Sequence, residues 1–161
     1  MQYPDLNSYI GSSSYFIWKE ALWLPKWGRA ATEDDGLNSD ILEAIINFTE
    51  NYLDPLRDYL NVPFVVHCWY RPPEYNMFVA GAGRSPHQSL TSIGNGMYCS
   101  AIDFHPVFEN MTEIESCIKG TKTINSILCE YSLRMENLGS SPVWIHIDNV
   151  PTQNAFRFFI P

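Results

Sequence analysis

Alternation in short runs constrains this chain more than any other feature of it. In Trp144-Ile145-His146-Ile147-Asp148, isoleucines separate the polar and aromatic residues, and Ala101-Ile102-Asp103-Phe104 alternates in the same way. Successive side chains of a β-strand point to opposite faces. Ile145 and Ile147 therefore share the core face of one strand, with Trp144, His146 and Asp148 on the other. In the second strand Ile102 and Phe104 oppose Ala101 and Asp103. A third run, Phe64-Val65-Val66-His67-Cys68-Trp69-Tyr70, is β-branched and aromatic and also reads as a strand. Two neighbouring strands of this kind can aim an imidazole and a carboxylate at one point above the sheet.

Around these runs the chain reads as helices first, then strands mixed with helices. That order predicts an α+β fold with a small, mostly antiparallel central sheet and helices packed on one side. Residues 15–23 make a short aromatic helix. Asp40 followed by Glu43 resembles a capping box, and Ile41, Ile45, Phe48, Tyr52 and Leu56 then recur at helical spacing. Pro55 bends that helix or restarts it with Asp54 as cap. Pro72-Pro73-Glu74 opens a short helix through Phe78, residues 80–96 form a loop rich in glycine and serine, and residues 97–104 form a strand. Residues 111–118 read as a helix, 124–131 and 143–149 as two strands joined by a loop, and 155–160 as a final strand.

A hydrophobic content of 45% with 14% aromatics argues for a packed core and against disorder. The length of 161 residues suits one domain spanning 1–161. A formal net charge of −8 is the opposite of the basic footprint that a nucleic-acid binder needs, and it disfavours docking on anionic lipid. The start, Met1-Gln2-Tyr3-Pro4-Asp5, lacks the basic and apolar regions of a signal peptide. No apolar stretch is long enough to span a membrane. The cysteines Cys68, Cys99, Cys117 and Cys129 form no C-x-x-C pair and read as reduced, mostly buried thiols.

His87 lies in the loop segment Ser85-Pro86-His87-Gln88. Together with Asp103 and His146 it makes a candidate zinc site with two imidazoles, one carboxylate and an open fourth position, the condition that separates a catalytic zinc from a structural one. Spacing alone is a weak signal, because histidines and aspartates on sheet faces are more often hydrogen-bonded surface groups. The neighbouring residues add to it. The turn from Trp69-Tyr70-Arg71 to Asn76 comes first, followed by Val79-Ala80-Gly81-Ala82-Gly83, Ser85-Pro86-His87, Ala101-Ile102-Asp103 and Trp144-Ile145-His146. In this order the chain resembles the zinc D-Ala-D-Ala carboxypeptidase family, which includes phage L-alanyl-D-glutamate endolysins and shares its fold with the hedgehog signalling domain. Tyr15-Phe16-Ile17-Trp18-Lys19-Glu20 and Leu53-Asp54-Pro55-Leu56-Arg57 resemble its small phage-associated branch.

The resemblance implies a hedgehog-like metallopeptidase fold and one zinc per chain on His87, Asp103 and His146. It implies hydrolysis of the peptide stem of peptidoglycan, either as a carboxypeptidase or as an endopeptidase. Arg71 matches the family arginine that binds a substrate carboxylate or carbonyl, a task suited to a planar, permanently charged fork. Tyr70, Ser85 and Trp144, with Trp69, are expected along the substrate cleft. The general base is assigned to Glu130 on the strand before His146, with Glu136 and Asp148 as alternatives. His67 and His105 read as groups beside the site rather than ligands.

Two intervals depart from the family pattern. Glu130 precedes His146 by 16 positions and His87 precedes Asp103 by 16, both longer than usual. The motif glycine between His87 and Asp103 is either Gly94 or Gly96. A loop absorbs such extra length at small entropic cost. The rival expectation is a virion or tail component that keeps the fold with its activity lost or secondary and has other virion proteins as partners. Another is a module that binds a cell-wall peptide without cutting it. The expected location is the host cytoplasm, with release by a holin, or the virion itself.

Overall fold

The computed structural model describes residues 2–137, 139, 143–152 and 157–159. Helix α1 (Trp18–Leu22), shorter than the aromatic segment around it, leads into a hairpin of β1 (Trp23–Leu24) and β2 (Arg29–Ala30). Helix α2 (Ser39–Phe48) starts earlier than the Asp40–Glu43 pattern predicts. Asn38 is its cap, with extended backbone and a side-chain oxygen that accepts the Ile41 N–H at 3.1 Å. Pro55 does not break the helical path. The chain widens into a π-turn at Thr49–Leu53 and continues as α3 (Asp54–Leu60), with Pro55 in its first turn. Asp54 is helical rather than capping, and its carboxylate accepts the Ser13 hydroxyl at 2.7 Å.

Strand β3 (Phe64–Cys68) and helix α4 (Pro73–Phe78) follow. The predicted loop holds a 3-10 turn, Pro86–Gln88, and a small hairpin of β4 (Ser92–Gly94) with β5 (Met97–Tyr98). Gly94 and Gly96 both have positive φ, +103° and +76°, which is why glycines occupy this turn. Then come β6 (Ala101–Pro106), α5 (Glu113–Asn125), β7 (Arg134–Glu136), β8 (Ile145–Asp148) and β9 (Phe158–Phe159). The central sheet has the order β3-β6-β8-β7-β9 and is antiparallel except for the β7–β9 pair. The fold is thus α+β with a mostly antiparallel central sheet and a few helices. Ile102, Phe104, Met135, Ile145 and Ile147 cover one face of the sheet and are buried in the core.

Residues 124–131 are not a strand. Thr112 and Glu115 cap α5 reciprocally, with Glu115 Oε2 accepting the Thr112 N–H at 2.8 Å and Thr112 Oγ1 accepting the Glu115 N–H at 3.3 Å. The helix runs to Asn125 and the chain then turns through residues 126–132. Ile124, Ile127 and Leu128 are all buried at helical spacing, a period that a short apolar run conceals. The strand that does precede β8 is β7, whose single core residue, Met135, stands between two polar ones and gives little pattern. Of the final predicted strand, Phe158 and Phe159 are extended, while residues 153–156 and 160–161 lie outside the described ones. Among the described residues no helix is long and apolar enough to cross a membrane.

Candidate metal centre and cleft

Register aligns the site. A shift between Val66 and Cys68 in the β3–β6 ladder sets Cys68 opposite Asp103, and in the β6–β8 ladder Asp103 stands opposite His146. On the far side of β8, Arg134 pairs with Asp148 and Met135 with Ile147, and Glu136, the next residue of β7, borders the same cleft. A thiol, a carboxylate and an imidazole thus lie in one transverse row across three strands, on the face away from the core. Cross-strand neighbours in such a row have Cβ atoms about 5 Å apart.

His87 reaches this row from the 3-10 turn above it. Its Nδ1–H donates to the Trp69 carbonyl at 2.6 Å, which leaves Nε2 with a lone pair for the site. The Arg71 N–H donates back to the His87 carbonyl at 2.8 Å, so the turn is clasped to the end of β3. Ser100 fastens the other end of the interval. The Trp69 indole donates to its hydroxyl at 3.0 Å, its N–H donates to Asn149 Oδ1 at 2.8 Å, and its carbonyl accepts the Asn149 N–H at 3.3 Å.

The donor atoms converge. His87 Nε2 lies 3.1 Å from His146 Nδ1 and 3.2 Å from Asp103 Oδ1, and His146 Nδ1 lies 2.7 Å from Asp103 Oδ1. Metal–donor bonds of about 2.0 Å at tetrahedral angles need donor–donor edges of about 3.3 Å. All three side chains are buried. Burial opposes charge on Asp103, but the imidazoles of His87 and His146 outweigh it and hold the carboxyl well below the usual range. Burial pushes His87 down, toward the neutral form that ligates a metal. For His146 burial is outweighed by hydrogen bonds to Asp103 and Asp148, which push it up to about 9.

The outer partners fix orientation. Asp103 Oδ2 accepts from Arg71 Nη2 at 3.0 Å. His146 Nε2–H points to Asp148 Oδ2 at 3.3 Å, which selects Nδ1 for the site. Asp148 is fully buried and is itself gripped by Arg134, whose Nε and Nη2 donate to its two oxygens at 2.8 and 3.0 Å. The Arg134 guanidinium lies 4.8 Å from the Phe159 ring centroid.

Cys68 also belongs to the neighbourhood. Cys68, His87 and Asp103 each present a donor atom within 4.8 Å of one another, a group able to hold a metal ion. Burial pushes the Cys68 thiol up to about 11, and Arg71 Nε donates to Sγ at 3.1 Å. The sequence marks Cys68 only as a small buried residue, because its approach to Asp103 depends on the shift in the β3–β6 register.

The centre opens into a cleft of about 520 Å³ bordered by Arg71, Ser85, Glu136 and Trp144 among others. Other expected site residues lie elsewhere. Tyr70 is 1% exposed and sits in the core, its N–H donating to the Ala21 carbonyl at 3.0 Å and its hydroxyl lacking a hydrogen-bond partner among the described residues. Trp69 is fully buried too. Both turn inward because the end of β3 packs beneath α1 and α2, where Trp69 meets the rings of Phe16 and Phe48. Glu130 is exposed on the turn after α5 and away from the cleft lining, whereas Glu136 borders the cleft. His67 and His105 meet each other, Nε2 to Nδ1, at 2.8 Å. No protein-family model, curated protein or solved structure matches the chain.

Proposed function

We propose that this chain is a zinc-dependent peptidase of the bacterial cell-wall stem peptide, with the metallopeptidase fold that its motifs resemble. The observation that carries the reading is the convergence of His87 Nε2, His146 Nδ1 and Asp103 Oδ1, 2.7–3.2 Å apart, at a cleft that Glu136 also borders. Two imidazole nitrogens and a carboxylate oxygen suit zinc, and three protein donors leave a position for chemistry. Zinc bound there supplies a Lewis acid for the scissile carbonyl and brings the pKa of a water toward neutrality. Glu136 takes the water's proton and passes it to the leaving amine. Arg71 braces Asp103 and presents its charge at the cleft, where it stabilises negative charge developing on the carbonyl oxygen. Trp144 walls the cleft. The purified protein is expected to take up about one zinc per chain, as the site's single set of donors requires, and to release new amine ends from peptidoglycan fragments. Unchanged metal content and turnover in His146→Ala would sink the assignment.

A second reading rests on Cys68. If its thiol joins His87 and Asp103 on the ion, sulfur takes the place open to water, the site closes as in a structural zinc centre, and it suits a virion or tail component without turnover. Cobalt-loaded protein separates the two. A thiolate-to-cobalt absorption band that disappears in Cys68→Ser, together with absent hydrolysis, favours the closed site. Hydrolysis that survives Cys68→Ser favours the peptidase.

A further inference from the structure

The long interval between His87 and Asp103 builds something beside the metal cleft. A hollow of about 280 Å³ is lined by Gly83, Arg84, Ser85, Gln88, Leu90 and Thr91, and it shares Arg84, Ser85 and Thr91 with the cleft. Its walls are fastened. The Gln88 side-chain amide donates to the Gly83 carbonyl at 3.2 Å, the Ser85 N–H to the Ala82 carbonyl at 3.0 Å, and the Cys99 N–H to the Thr91 carbonyl at 2.8 Å.

Three guanidinium groups border the cleft, those of Arg71, Arg84 and Arg134. Two of them are already ion-paired within the protein, Arg71 with Asp103 and Arg134 with Asp148. Arg84 has no ion pair among the described residues, and the side chains at positions 1, 138, 140–142, 153–156 and 160–161 include no carboxylate. An exposed arginine is ordinarily a solvated group. Arg84 differs in standing on the ridge between two concavities, one of which ends at the metal donors. Hydroxyl groups at Ser85 and Thr91 flank it, and Leu90 offers an exposed apolar surface on the far side.

The geometry points to this hollow as a subsite for a carboxylate-bearing residue next to the scissile bond, with Arg84 as the group that selects it. The inference rests on the peptidase reading for its setting and gives the anchoring role expected of Arg71 to Arg84. A planar guanidinium pairs with a carboxylate through two parallel N–H···O bonds, and an amide in the same place loses both the charge and one acceptor.

The test measures binding as well as turnover. Zinc-loaded protein is titrated with the peptide L-Ala-γ-D-Glu-L-Lys-D-Ala, in which the glutamate is linked through its γ-carboxyl and its free α-carboxylate is replaced by an amide in the D-isoglutamine counterpart. Wild type is expected to bind the free acid about tenfold more tightly than the amide, the scale of one charge-assisted contact at a partly exposed site. The preference should vanish in Arg84→Gln, survive in part in Arg84→Lys, and shrink as salt is raised. An equal preference in wild type and Arg84→Gln overturns the subsite, as does failure of both peptides to bind. Binding that depends on Arg84 without any cleavage keeps the subsite and removes the hydrolase. Cleavage with an unchanged acid-to-amide ratio in Arg84→Gln does the reverse.

Discussion

Glu130 and Glu136 are six positions apart, yet one is solvated on a turn and the other borders the metal cleft. In zinc-loaded protein Glu136→Gln should lower kcat on peptidoglycan fragments by about 10²–10⁴-fold, the usual contribution of a general base, with metal content unchanged. Glu130→Gln should leave turnover alone, and the two variants assayed side by side decide the assignment. Asp148 acts at one remove. Asp148→Asn swaps an acceptor that orients His146 for an amide, and zinc affinity should fall about 10–100-fold in a competition titration with a chromogenic chelator. The sequence already placed Asp148 on the face of His146, by alternation alone. It could not show that Arg134 grips Asp148, since that pairing depends on a strand the pattern hides.

At the scale of elements, α5 shows how close approach outweighs propensity. A Cβ built on Gly120 would lie 2.7 Å from Pro106 Cγ and 2.9 Å from Ile145 Cδ1. Gly→Ala inside a helix ordinarily gains up to about 1 kcal/mol, whereas overpacking costs roughly 1–3 kcal/mol. Gly120→Ala should therefore lower the urea midpoint. The turn after β2 offers a pH test. Hydrogen bonds from Arg29, then from the Thr32 N–H and hydroxyl, lower Asp35 to about 2. A carboxyl held down in the folded state adds stability that is present above its unfolded pKa, about 3.9, and is lost as pH falls through the folded value. Asp35→Asn should thus cost about 1 kcal/mol near neutrality, allowing for solvent screening. Its urea midpoint should converge on that of wild type between about pH 4 and pH 2. Helix α2 was legible from apolar spacing, and the start of α3 from Pro55. The helical end of α5 was not, because Ile127 and Leu128 look alike in a strand and in a buried turn.

At the scale of the molecule, the proposed donors come from the 3-10 turn at His87, from β6 and from β8, so a metal held by them would tie the middle of the chain to its last third. Zinc at a hundred times its Kd should add about 2.7 kcal/mol of stability. Thermal melts with and without chelator should differ in wild type and coincide in His87→Ala. Fold class was readable because β6 and β8 carry their own alternation and helices precede most of the strands. The transverse row was not, since it depends on the bulge in β3 and on which strands become neighbours. The fastenings at His87 and Ser100 lead somewhere else. Each is held by the end of β3, and Ser100 also by Asn149, so the hairpin between them hangs from two fixed posts. Foreign residues spliced in at Asn95, in the turn of this hairpin, should leave the positions of His87 and Ser100 unchanged. The hairpin tip is therefore a place where a protein engineer can graft a foreign loop without disturbing the donors at either end of the interval.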